Sequence, residues 1–307
     1  MTDFNVITEG LRFPEGPVAL PDGSLLVVEI AGKALTRVLL DGSHQIIADL
    51  EGGPNGAAMG PDGWVYICNS GGWIYAENDD GRYPVGQSDQ NGWIERVHLE
   101  TGQVEKLYTG TDTRQLNSPN DIVFDRDGGF WFTDLGKRRE KTRDVGAVYY
   151  AAADGSAIRC AIPGLYEPNG IGLSQDQKTL YVAETPTRRV LAFDLEAPGK
   201  PRLDPWPAPG GGRLIRSLGG RNNLDSMAID SAGHICVAAL GEGGIWDIAP
   251  DGETAQKTLL PDFFSTNICF GGPDGKTAFA TLSMSGRLVS FDWVRSGLRP
   301  VYQEDLW

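Results

Sequence analysis

Six positions in this chain carry an acid, amide or hydroxyl residue at the head of the same phrase, and all six offer oxygen as a ligand atom. Glu15 opens EGPVALPDGSLLVV, Asn55 opens NGAAMGPDGWVYIC and Asn120 opens NDIVFDRDGGFWFT. Asn169 opens NGIGLSQDQKTLYVA, Asp225 opens DSMAIDSAGHICVA, and the Thr266-Asn267 pair opens TNICFGGPDGKTAFA. In each, a short apolar stretch leads to a tight turn and a second apolar strand. Repeats set around an axis place equivalent residues on one ring, so Glu15, Asn120, Asn169 and Asp225 should meet there. Two carboxylates and two amide oxygens, with no histidine among them, make a site for a hard cation with room for waters. Calcium fits best by charge and ligand hardness, followed by magnesium or manganese. Catalytic zinc normally recruits His or Cys, so zinc and iron rank behind. Asn-Gly and Asn-Asp also favour turns. That accounts for Asn55-Gly56 but not for Glu15, a poor turn residue at the equivalent place.

The elements that must position this ring are strands. The openers stand 40, 65, 49, 56 and 42 residues apart, a spacing suited to four-stranded propeller blades of roughly 40–50 residues, some with inserts. Between the phrases lie further strand pairs: 34–40 with 44–48, 92–99 with 104–108, and 146–151 with 158–162. Segments 189–194, 244–248 and 287–293 read likewise. Alternation and β-branched or aromatic enrichment mark these as strands, and Asp-Gly or Thr-Gly turns separate most pairs. Convincing helical periodicity is absent. The sequence therefore predicts an all-β, six-bladed β-propeller of four-stranded antiparallel blades, one domain over residues 1–307. Segment 4–7 should close the ring by completing the C-terminal blade. Two stretches exceed what a blade needs: 70–91, with Trp73, Tyr75 and Tyr83 among polar residues, and the Pro/Gly-rich 197–222. Both are expected to be long loops.

Composition narrows the function classes. A net charge of −14 repels phosphate backbones and anionic lipid, which disfavours nucleic-acid and membrane-surface roles. No apolar run approaches the length of a membrane span, and MTDFNVITEGLRF has neither the charged nor the apolar region of a secretory signal. Cys68, Cys160, Cys236 and Cys269 are widely spaced in strand-like contexts. They are expected as buried free thiols, consistent with a cytoplasmic location. His44, His98 and His234 fall in expected strands and are assigned structural or surface roles. Phe130, Trp131 and Phe132 are assigned to the core. The acidic ends of FTD, AET and SFDW should form hydrogen bonds at blade ends. No G-x-S-x-G elbow or H-E-x-x-H motif is present, which argues against serine-hydrolase and zincin chemistry.

The phrases FPEGP, NSPNDIVFDRDGGFWFTD, EPNGIGLSQDQKTLYVAET, LDSMAID and NICFGGPDGKTAFAT, in this order, resemble the regucalcin/gluconolactonase (senescence marker protein) family of metal-dependent six-bladed propeller lactonases. The resemblance implies that Glu15, Asn169 and Asp225 are metal ligands. It implies that Asn120 touches the metal directly or through substrate, and that Asp121 points into the pocket. Asp225 is implied as general base, with Asp121 second, or as a nucleophile. Family members resembling regucalcin carry Arg two residues before the Asn120 equivalent, where this chain has Ser118, with Arg114 nearby. That departure, with the aromatic 70–91 insert, points to a small-molecule lactone less polar or larger than a sugar lactone. Asn120, Asp121, Ser118, Trp73 and Tyr75 are then the expected substrate contacts. Competing readings are a non-catalytic calcium-binding or protein-docking propeller and a phosphotriesterase-like or strictosidine-synthase-like enzyme.

Overall fold

The computed structural model describes residues 3–303 and 305–307. Among them the chain forms six small antiparallel sheets set around an axis, plus one separate hairpin. The blades begin with inner strands Pro14–Ala19, Pro54–Met59, Pro119–Phe124, Pro168–Leu173, Asn222–Ile229 and Ser265–Gly271. Each sheet has four strands except the fourth, where the two-residue strand Lys200–Pro201 adds a fifth. The sixth blade takes its outermost strand from the other end of the chain. Asn5–Thr8 pairs antiparallel with Arg287–Asp292, with Asn5 opposite Ser290 and Val6 opposite Val289. Closure by this strand removes two open edges that would otherwise be left unpaired.

The period-2 pattern decides which neighbour each residue meets. In strand Gly129–Asp134, Phe130 and Phe132 pack toward the second blade, among Tyr66, Ile94 and Leu116. Trp131 between them points the other way, among Ile171, Leu180 and Val182 of the fourth blade. The same division gives six apolar clusters among the described residues, each bridging adjacent blades. The core is therefore a ring of blade interfaces, with the axis left for polar groups.

The recurring Asp in the turns has a local cause. Asp22, Asp62, Asp176 and Asp274 each accept, through Oδ1, the N–H of the residue two positions on. The side chain thereby closes a turn of its own. At the blade ends, Asp134 accepts the N–H groups of Asn117, Ser118 and Gly136. Glu184 accepts from Tyr166 N, Thr187 Oγ1 and Arg189. Asp292, grouped with them from the sequence, is exposed at its strand end.

Several sequence expectations need correction. The 70–91 insert is not a loop: Trp73–Asn78 and Gly81–Gln87 form an antiparallel hairpin with no partner in any blade. Within 197–222, Arg213–Ser217 is the fourth blade's own strand, paired with Arg189–Ala197, so the true excess is shorter. His98 and His234 lie just outside strand ends. Cys68 and Cys236 are buried free thiols, whereas Cys160 and Cys269 are only partly buried. No helix among the described residues is long and apolar enough to cross a membrane.

Candidate active site

Every inner strand breaks its pairing register at the same place. The shifts fall between Glu15 and Val18, Pro54 and Ala57, and Pro119 and Ile122 in the first three blades. They fall between Pro168 and Ile171, Leu224 and Met227, and Ser265 and Asn267 in the other three. A bulge leaves a residue unpaired and re-aims its neighbours. Here it lies at the opener in all six blades and turns that side chain toward the axis. Adjacent inner strands approach so closely that a Cβ at Gly16 would lie 2.4 Å from Asn55 O, and one at Gly170 would lie 2.6 Å from Asp225 O. Gly16 also has φ +49, in the left-handed region that glycine enters freely. The residue after the opener is glycine in the first, second and fourth blades.

Glu15, Asn55, Asn120, Asn169, Asp225 and Thr266 all line one cavity of about 990 Å³ at the heads of the inner strands. All six are buried. Glu15 Oε2 accepts from its neighbour Gly16 N and from Asn267 Nδ2, both at 2.7 Å. Asn169 Oδ1 receives only a long bond from Ser226 Oγ, 3.5 Å. The Oδ1 atoms of Asn55 and Asn120 are buried with no hydrogen-bond partner. An unpaired buried carbonyl oxygen costs about 1–3 kcal/mol, so these oxygens are suited to a ligand.

Electrostatics point the same way. Burial pushes Glu15 up to about 7, against the hydrogen bonds from Asn267 and Gly16. Burial, then the Glu15 charge, pushes Asp121 up to about 8. Burial and Glu15 likewise hold Asp225 well above the usual carboxylate range. Glu15 and Asp225 share the buried ring with Asp121 just behind it, and no cationic side chain figures among the causes of their shifts. Like charges disfavour one another's ionisation and a divalent cation reverses that. The donor set, oxygen alone with two orphaned amide oxygens, fits such an ion.

The expected substrate contacts divide. Trp73 and Tyr75 line the cavity together with Phe13, Phe263 and Phe264. Tyr75 packs against Phe13 in a tilted contact with ring centres 5.1 Å apart, and Phe13 meets Phe264 edge-on at 5.7 Å, giving an aromatic wall. The hairpin carrying Trp73 and Tyr75 is tied to the sixth blade by Arg82 N donating to Met284 O (2.9 Å). It is tied to the third blade by Arg138 N donating to Gln87 Oε1 (2.6 Å). Ser118, by contrast, is fully buried outside the cavity, with its hydroxyl near Gln87 Nε2 at 3.4 Å. Gln87 is the side chain that reaches the cavity there. Asp121 faces a smaller cavity of about 180 Å³ at the tails of the inner strands, which residues of 298–307 help to line. Its carboxylate accepts from Ile122 N (3.0 Å) and Ile171 N (3.3 Å). It follows Asn120 in the chain, and the bulge sends the two side chains to opposite sides.

Sequence reasoning assigned no role to Asn267, which holds Glu15. Its place beside Thr266 at the sixth opener was the available signal. A second group of potential ligands, Asp230, Cys236 and Asp247, has ligand atoms within 4.8 Å of one another. Its carboxylates are already engaged. Arg295 donates to both Asp230 and Asp247, and His234 Nδ1 lies 2.6 Å from Asp247 Oδ1.

A family model described as SMP-30/Gluconolactonase/LRE-like region matches residues 13–284. Lactonase drp35 of Staphylococcus haemolyticus is 29% identical over 255 residues, 82% of this chain and 71% of that protein. Gluconolactonase of Zymomonas mobilis is 26% identical over 313 residues, 92% of this chain and 79% of that protein. Among solved structures, a gluconolactonase from Xanthomonas campestris has a TM-score of 0.73 at 22% identity, covering 94% of this chain and 89% of that one. A regucalcin from Agrobacterium tumefaciens, described as calcium-binding, has a TM-score of 0.72 at 20% identity, with coverage of 96% and 97%. These two structures share the fold. The axial ring of openers and the match over residues 13–284 lead to one assignment: the chain belongs to the SMP-30/gluconolactonase/LRE-like family.

Proposed function

We propose that this protein is a divalent-metal-dependent hydrolase that opens a lactone to a hydroxy acid in the large axial cavity. The observation that carries the reading is the convergence of Glu15, Asn120, Asn169 and Asp225 on one buried ring, with Asn120 Oδ1 unpartnered. The lactonase and gluconolactonase relatives supply the substrate class. Glu15, Asn169 and Asp225 would hold the cation, calcium first, with Asn120 beside them. When bound, the cation polarises the lactone carbonyl and offsets the charge that develops on its oxygen.

The chain's own groups do the rest. Asp225 takes a proton from water as the water oxygen adds to the carbonyl carbon. The carbon–oxygen bond of the ring then breaks, and the proton passes to the departing ring oxygen, which becomes the hydroxyl of the product. Asp121, on the other side of the ring, adds negative charge once it ionises, which strengthens Asp225 as a base. The aromatic wall of Trp73, Tyr75, Phe13 and Phe264 holds the body of the substrate by apolar contact. This favours a lactone whose ring body is less polar than that of a sugar lactone. A pH-indicator assay over sugar, aliphatic and aromatic lactones tests the reading. Turnover of aliphatic or aromatic rings above sugar rings is expected, and absence of turnover on every class would overturn it.

Asn267→Ala should weaken cation affinity about 10–100-fold by freeing the Glu15 carboxylate to turn, as loss of a group that orients a ligand does. Calorimetric titration checks this, and unchanged affinity would remove Asn267 from the site. Replacing residues 74–86 by a short Gly-Ser link should change the ratio of aromatic to sugar lactone turnover at least tenfold. The fold should survive, because the hairpin pairs with no blade. Loss of the thermal transition with an unchanged ratio would instead assign the hairpin a structural role.

A further inference from the structure

Four arginines line the large cavity: Arg138, Arg139, Arg188 and Arg221. Two of them are spoken for. Arg138 donates to both carboxylate oxygens of Glu167, at 2.9 and 2.6 Å, and Arg139 donates to Asp144 at 2.8 Å. Arg188 and Arg221 differ. The Arg188 guanidinium donates from Nη1 to a neutral acceptor, Gly220 O. That bond sets it against the carbonyl that precedes Arg221 in the chain. The Arg221 guanidinium lies over the Phe263 ring, 5.4 Å from its centre, and the acid near its backbone, Glu242, is bonded by Arg221 N. Neither side chain forms an ion pair among the described residues. Each is nevertheless held, one by a carbonyl and one by an aromatic face, with most of its donors free.

Two guanidinium groups with no ion pair among the described residues line this cavity in a chain of net charge −14. The general field repels anions, so a local pair of positive charges at a cavity wall acts as a selective attractor. The planar donor fork of arginine matches a carboxylate in a two-bond geometry. Resting on the reading of the cavity as a lactonase site, we infer that the preferred substrate is an anionic lactone. Its carboxylate, remote from the ring carbonyl, docks between Arg188 and Arg221. Its apolar body lies along the Trp73–Tyr75–Phe13–Phe264 wall. The pair determines specificity and takes no part in bond breaking.

The test compares a carboxylate-bearing lactone with its methyl ester, which has a similar shape without the charge. The native protein should prefer the acid at least tenfold in kcat/KM, and the preference should fall as salt is raised. In Arg188→Gln/Arg221→Gln the ratio should collapse to near one, mainly through KM of the acid. Equal rates on acid and ester in the native protein would overturn the inference, as would a preference that survives the double substitution. A calorimetric titration with the ring-opened dicarboxylate separates this inference from the lactonase reading. If no lactone is turned over but the dicarboxylate binds and the double variant weakens it tenfold or more, the anion site stands while the reaction assignment fails. Binding that is absent, or indifferent to both substitutions, would sink the anion site whatever the catalytic result.

Discussion

Asp225→Asn should lower lactone turnover about 100-fold or more at saturating cation, the scale expected when a positioned proton acceptor is lost. The amide keeps the size and one oxygen donor, so the propeller should fold and some cation affinity should persist. It cannot accept a proton at neutral pH. The same substitution removes one of three buried carboxyls, and Glu15 and Asp121 are both among the charges acting on Asp225. The metal-free variant should therefore melt at a higher temperature than the native metal-free protein near pH 8. Asp121→Asn should have a smaller effect on turnover, because Asp121 lines the far cavity and its carboxylate is bonded to Ile122 N and Ile171 N. Kinetics must be measured at saturating cation, since weakened binding would otherwise imitate lost chemistry. Near-normal turnover for Asp225→Asn beside an inactive Asp121→Asn would reverse the assignment of the base.

The second large effect is on stability against pH. In the folded, metal-free protein Glu15 is raised from 4.5 to about 7 and Asp121 from 3.8 to about 8, chiefly by burial. A carboxyl whose folded pKa exceeds its unfolded value holds more protons folded than unfolded between the two values. Stability therefore falls as pH rises through that interval. Below the unfolded values both states are protonated and these groups contribute nothing. Metal-free protein should lose on the order of several kcal/mol between about pH 5 and pH 8, since each unit of displacement is worth about 1.4 kcal/mol. A divalent cation favours the ionised carboxylates, so its stabilising effect should grow over the same window. Thermal unfolding in excess chelator and in excess calcium, at intervals from pH 5 to 8, checks both. A metal-free melting temperature that is flat or rising would contradict the burial of these carboxyls together.

The sequence made the blades legible because their signals are local. Apolar alternation, Asp-Gly turns and the repeated opener each act within about fifteen residues, and the closing strand follows from the count of strands. What escaped the sequence depends on contact between distant segments. The register break at every opener accompanies close packing of neighbouring inner strands, which at Gly16 and Gly170 leave no room for a Cβ. That break separates Asn120 from Asp121. Adjacency in sequence suggested one pocket for both, and the structure gives them one each. The polar, glycine-flanked insert looked like a loop, yet it pairs with itself as a hairpin whose tip and base rest on the sixth and third blades. The opener phrase marked Asn267, but not its bond to Glu15, which joins residues 252 positions apart. Arg188 and Arg221 likewise acquire meaning only once the fold lines one cavity with both.

The most direct test of the central claim is a titration of activity by cation. Protein stripped with chelator and returned to cation-free buffer is assayed on a lactone while calcium, magnesium, manganese, zinc or iron(II) is added stepwise, with Glu15→Gln in parallel. Cation dependence at the axial ring predicts a rate near background without cation and restoration that saturates at one equivalent per chain. It also predicts a curve for Glu15→Gln displaced to much higher concentration. Full turnover by the stripped protein, unchanged by any cation and by Glu15→Gln, would contradict it.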